Sequence, residues 1–192
     1  IKNELMVAAL PAAETARVVN LLNTAFPQMH AGANVLETSL SNANAMMHPA
    51  PTLLNTSLIE SDHDWLYYWD GITPAVGAFV EALDEERRAV AAAFGLKLPG
   101  ILEWYRVHYG AEGATLSDAV KQNQAYAEVK GQKTLHTRYL LEDIPTGLVP
   151  MAMLGNLAGV DVARMETVIK LGEFLIGQDF TASGRNLENL GL

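Results

Sequence analysis

The chain has no cysteine, so it offers neither a disulfide framework nor thiolate chemistry, which suits a reducing compartment such as the cytoplasm. Positive charge is scarce. Against 22 Asp and Glu there are 13 Lys and Arg, a net charge of −9 with no basic run, and this argues against a nucleic-acid partner. Missing too is any uninterrupted apolar stretch of membrane-spanning length, which predicts a soluble protein with no membrane partner. No G-x-G-x-x-G or P-loop pattern is present, so this piece carries no recognisable phosphate cradle. The histidines His30, His48, His63, His108 and His136 show no H-E-x-x-H or other ligand spacing, and no metal is expected. Internal repeats, low-complexity tracts and heptad arrays are also absent.

What remains is 192 residues, 49% hydrophobic and 18% charged, enough to bury a sizeable core as one large or two small domains. The opening "IKNELMVAALPAAETARVVNLL" lacks an initiator Met and combines a strand-like run, Glu4 to Leu10, with an alanine-rich helix reaching about Thr24. This is how the last strand and helix of an α/β unit look when the rest is removed, so a fragment of a longer protein is expected. Beyond residue 34 the pattern is nearly all helical. Thr73 and Pro74 form an N-cap and first-turn pair, and Val76, Phe79, Val80, Leu83, Val90 and Phe94 give an apolar face that stops at Gly95. The charges of "DEERR", Asp84 to Arg88, are expected on its solvated side. Further helices are predicted over 99–109, 117–126, about 133–141, 145–158 and 161–176, the last with Asp161 as N-cap. The architecture read from this pattern is mainly α, an irregular helical domain.

One stretch, "NANAMMHPAPTLLN" (42–55), is physically odd. Leu36, Leu40, Ala43 and Met47 keep helical spacing, which predicts a helix from Val35 to Met47. Pro49 and Pro51 lack amide donors and crowd the carbonyls of Ala45 and Met47, so a break is expected at His48, with Asn44 one turn earlier. An isolated histidine in an apolar helix is also an ordinary core residue. A second stretch, "HTRYLLEDIPTGLVP" (136–150), sets Arg138 and Glu142 one turn apart and puts Asp143 before Pro145. It reads equally as a surface pair followed by a helix cap. "SDHDW" around His63 reads as a solvated loop. Trp104, Tyr105 and Tyr109 read as packing, while Tyr67, Tyr68 and Trp69 fit either a pocket or an interface.

Taken together, "NANAMMHPAPTLLN", "YYWDGITPAV", "EWYRVHYG", "RYLLEDIPTGLVP" and "GRNLENLGL" strongly resemble the α-helical C-terminal domain of the octopine/nopaline (opine) dehydrogenase family, in the family's order across residues 1–192. The resemblance implies that residues 1–33 are the tail of an N-terminal Rossmann domain and that residues 34–192 are the helical substrate and catalytic domain. It also implies NAD or NADP as cofactor, bound mainly by the Rossmann domain. The implied substrates are an α-keto acid, such as pyruvate, and an amino acid. They condense to an imine that hydride reduces to an N-(1-carboxyalkyl) amino acid. Family members include monomers and dimers, so the implied partners are the substrates, the Rossmann domain and, in the dimeric case, a second copy.

By the same resemblance, the histidine of the H-P motif falls on His48 as acid/base, the aspartate ending R-Y-x-x-E-D on Asp143 as its partner, and the arginine on Arg138 as the keto-acid carboxylate binder. Asn44 is a candidate to hydrogen-bond substrate or to fix the kinked backbone. The chemistry suits these residue types. Loss of a carbonyl oxygen as water requires a proton donor, and histidine serves both directions of such a step. Arginine presents a planar fork to a carboxylate. On this reading the prolines expose His48 to a cleft. The piece alone is expected to be inactive, because hydride needs a bound nicotinamide. Two alternatives stay open: another Rossmann-plus-helical-domain dehydrogenase acting on a 2-hydroxy acid, and a non-catalytic helical dimerisation module.

Overall fold

The computed structural model describes residues 4–191; positions 1–3 and 192, although within the resemblance, lie outside the described residues. Two compact units follow one another along the chain, one up to Asn42 and one from Ala43 onward.

The first unit holds β1 (Leu5–Val7), α1 (Thr15–Leu22), β2 (Met29–Ala31) and α2 (Val35–Leu40). β1 and β2 pair in parallel, with Met6 opposite His30. Parallel neighbours need a crossover connection, and α1 supplies it, making a small β-α-β unit. The strand predicted from Glu4 to Leu10 is shorter, and β2 carries no alternating pattern long enough to read from sequence. α2 begins at Asn34, whose side chain accepts from the Glu37 amide at 3.0 Å. The helix predicted to run to Met47 stops at Leu40, just before "SNAN" (41–44), where Ser and Asn compete with the backbone for hydrogen bonds.

The second unit is helical: α3 (Asn44–Met47), α4 (Pro49–Leu54), α5 (Thr56–Ile59), α6 (Pro74–Ala93), α7 (Ile101–Tyr109), α8 (Leu116–Gln122), α9 (Arg138–Leu141), α10 (Val149–Leu157), α11 (Ala163–Ile176), α12 (Phe180–Ser183) and α13 (Leu187–Leu190). The chain is mainly α, as expected. α6 is its spine, packed against α3, α4, α7, α8, α10 and α11. Thr73 caps it as predicted, accepting from the Val76 amide, with Pro74 in the first turn. Its Val80, Leu83 and Val90 are fully buried.

The "DEERR" expectation is overturned: Asp84, Glu86 and Arg87 are buried. Asp84 Oδ2 accepts from the Ile101 amide at 2.8 Å, at the start of α7. Glu86 accepts from the amides of Arg164 and Met165, both at 3.0 Å, in the first turn of α11. Helix N-termini present unpaired amides, and these carboxylates satisfy them from a neighbouring helix. Asp161 accepts from Ala163 N at 3.1 Å, but the capping residue of α11 is Val162, and Glu86 does the work further into the turn.

Two further predicted helices change. Of 133–141 only α9 is helical, because the preceding segment is tied to the 61–67 loop. Tyr67 N donates to Val129 O and Gly131 N to Trp65 O, each at 2.8 Å, and the Lys133 ammonium donates to the carbonyls of Ser61 and His63. Gly131 is required there. A Cβ would stand 1.9 Å from the Trp65 ring. The region 145–158 starts as a π-helical turn, Ile144–Leu148, before α10. Pro150 has no amide, and a wider turn keeps its ring clear of the carbonyl one turn back. Among the described residues, no helix is long and apolar enough to cross a membrane.

Candidate active site

The break at His48 is where the prolines place it. His48 lies between α3 and α4 with φ −107° and ψ −57°, and Pro49 opens α4. The buried Tyr67 hydroxyl braces the break. It donates at 2.8 Å to His48 O, which also accepts from the Thr52 amide, and lies 3.3 Å from Met47 O, whose helical donor Pro51 cannot supply. Thr52 Oγ1 is 3.0 Å from the same hydroxyl, and Gln132 Nε2 donates to Thr52 Oγ1 at 3.1 Å. The backbone carrying His48 is therefore held by a hydrogen-bonded chain reaching from Gln132.

The imidazole is partnered on three sides. His48 Nδ1 is 2.7 Å from Asp143 Oδ2, and both residues are buried. An ionised carboxylate has no proton to give, so Nδ1–H is the donor and Nε2 is the nitrogen left for proton exchange. Tyr68 Oη lies 3.4 Å from Nε2. Tyr139 stacks on the imidazole, centroids 3.9 Å apart and planes 12° from parallel. Burial pushes the hydroxyls of Tyr67, Tyr68 and Tyr139 above the usual phenol range, so they act as O–H groups.

The expected residues separate into two sets. His48 and Asp143 are brought together, and Asp143 makes no side-chain cap to the turn that follows it, although its sequence position allows one. Arg138 and Asn44 stand outside the buried pair. Arg138 is exposed, with Nη2 3.2 Å from Glu142 Oε1. Asn44 is exposed as well, and its backbone carbonyl accepts from His48 N at 2.9 Å. His48 is largely buried. Its side chain is 9% exposed, covered by the stacked Tyr139.

Tyr139 is the site residue that sequence reasoning missed. It precedes Asp143 by four positions, the spacing that puts two helical side chains on one face, and that signal was available. Tyr67 and Tyr68, left between pocket and interface, both belong here. Tyr105 is fully buried packing, while His63 lies on an exposed loop, both as expected.

The chain is similar in sequence to curated dehydrogenases and synthases. An opine dehydrogenase of Arthrobacter sp. strain 1C is 45% identical over 192 residues, all of this chain and 54% of that protein. A vitopine synthase of Allorhizobium ampelinum is 31% identical over 153 residues, 79% of this chain and 42% of its own length. The chain thus spans about half the length of the curated relatives it matches. Among solved structures, octopine dehydrogenase in complex with NADH and L-arginine superposes with a TM-score of 0.73 at 22% identity, covering 87% of this chain and 48% of that one. The fold is shared at that level. The sequence profile described as "NAD/NADP octopine/nopaline dehydrogenase, alpha-helical domain" matches residues 31–176, and the chain belongs to that family.

Proposed function

We propose that this chain is the substrate and catalytic half of an opine-type dehydrogenase, which condenses an α-keto acid with an amino acid and reduces the imine to an N-(1-carboxyalkyl) amino acid. The observation that carries this reading is the 2.7 Å contact of His48 with Asp143 across 95 positions of sequence. It joins two polar residues inside an apolar core and leaves Nε2 to handle a proton. Asp143 orients the ring, and His48 protonates the departing oxygen in one direction and takes the proton back in the other. Arg138 suits a substrate carboxylate. Its exposed pairing with Glu142 is weak, and a bidentate acid can displace it. Asn44 offers a further polar group one turn before His48.

Hydride is supplied by NADH or NADPH when bound, and this chain's residues do not form a dinucleotide cradle by themselves. The sequence holds no glycine-rich phosphate loop. The parallel pairing of β1 and β2 around α1 supports reading residues 1–33 as the end of a Rossmann domain that supplies the cradle. A cytoplasmic setting fits nicotinamide chemistry in a cysteine-free chain. The test uses the full-length protein. NADH and NADPH oxidation is followed with pyruvate and a panel of amino acids, each substrate omitted in turn. Turnover is expected to need both substrates and to fall by at least about 100-fold in a folded His48→Ala variant. Turnover on keto acid alone would replace this reading with a 2-hydroxy-acid dehydrogenase, and no turnover across the panel would leave a structural module.

A further inference from the structure

Because Asp143 takes Nδ1, every proton that His48 exchanges with substrate passes through Nε2. The group already at Nε2 is Tyr68 Oη, 3.4 Å away. That separation is long for a tight O–H···N bond, so neither atom is committed to the other. The phenol is held firmly in that position. Its ring stacks on Tyr126 at 3.9 Å and 11°, and meets the edge of Tyr67 at 5.0 Å and 84°. Tyr67 is itself fastened to the His48 carbonyl. Tyr68 is buried and, through burial, stays protonated far into alkali.

We propose that Tyr68 is a second catalytic residue, which donates its O–H to the substrate oxygen that His48 protonates during loss of water. The inference rests on the opine reading. In the step, the carbinolamine C–O bond breaks while the nitrogen lone pair closes C=N. The oxygen leaves as water with the proton from Nε2–H, and His48 becomes neutral as an iminium ion forms, so charge is conserved. Tyr68 keeps its proton throughout. Two donors aimed at one departing oxygen, in a site sealed by Tyr139, are set before the charge develops.

The experiment compares full-length wild type with Tyr68→Phe, which removes the hydroxyl and keeps the stacked ring, and with Tyr126→Phe as a control on the ring neighbour. With pyruvate and an accepted amino acid, Tyr68→Phe should lower kcat by about 10- to 100-fold and leave both KM values within about threefold. If dehydration has become limiting, the solvent isotope effect on kcat rises and the primary effect from deuterated NADH falls toward unity. Tyr126→Phe should stay within about twofold of wild type on the same measure. A Tyr68→Phe enzyme within twofold of wild type, or one slowed with both isotope effects unchanged, overturns the proposal and leaves the opine reading standing. Wild type that does not need both substrates removes the reading and this proposal together. Should Tyr68→Phe fold poorly, a fluorinated tyrosine at position 68 keeps the ring and changes only the acidity of the hydroxyl. Its solvent isotope effect must then differ from wild type, and an unchanged value is overturning.

Discussion

Asp84 and Asp143 are both buried carboxylates, each 2.7 Å from a nitrogen of a basic side chain, Arg87 in one case and His48 in the other. They differ in what the partner has left over. Around Asp84 the bonding runs into backbone: Oδ2 receives the Ile101 amide, and Arg87 Nη2 donates to Pro99 O at 2.9 Å. Arginine cannot be deprotonated at working pH, so this pair fastens α7 to α6 and exchanges no proton. Around Asp143 the partner is an imidazole with a second nitrogen, and that nitrogen faces a phenol. A buried ion pair gains chemistry when one member can still exchange a proton.

The largest test of that contrast exchanges one substitution between the two places. Asp143→Asn should lower kcat of the full-length enzyme by about 100- to 10,000-fold, because an amide no longer specifies the tautomer with hydrogen on Nδ1. Asp84→Asn should leave kcat of the folded fraction unchanged and cost about 3 kcal/mol in denaturant unfolding, since Arg87 is then buried without its counter-charge. If Asp143→Asn instead loses stability and keeps its turnover, the pair is structural and the contrast collapses.

Alkaline pH separates the same two regions by a smaller effect. Tyr67, Tyr68, Tyr105, Tyr126 and Tyr139 are all raised from an ordinary value of 10.0, chiefly by burial. The unfolded chain therefore loses its phenolic protons first as pH rises, and from that point the folded state binds more protons. Stability contributed by this shell is complete below the unfolded value and declines above it, by about 1.4 kcal/mol per pH unit for each phenol that stays protonated in the fold. Unfolding free energies on either side of about pH 10 should show the decline, shallower in Tyr67→Phe and unchanged in slope in Asp84→Asn. A flat profile would mean that the shell admits water.

The site was more legible than the scaffold that holds it. Prolines at 49 and 51 mark a break that no helical pattern can hide, and the paired motifs named His48 and Asp143. The burial of Asp84 and Glu86 was illegible because it depends on helix starts 17 and 78 positions away, which a local charge run does not record. The same holds for the segment before α9, where the Lys133 ammonium donates to the carbonyls of Ser61 and His63 some 70 positions away. Tyr139 shows the middle case. Its spacing to Asp143 was local, but only the fold reveals that the shared face is occupied by His48.

Glu86 offers the finest measure of how a fastening carboxylate differs from the one proposed to orient His48. Its two oxygens accept from Arg164 N, Met165 N and Arg164 Nη1 at 3.0 to 3.2 Å, at the positive end of a helix whose own capping residue supplies no side-chain bond. Glu86→Gln keeps the shape and replaces one acceptor with an NH2 group that faces an amide. The loss is one hydrogen bond and the charge at the helix terminus, about 1 to 2 kcal/mol. Amide exchange should then quicken in the first turn of α11, while kcat and its pH profile stay as in wild type. A shift in that profile would connect Glu86 to His48, and the fastening cluster would no longer be independent of the chemistry.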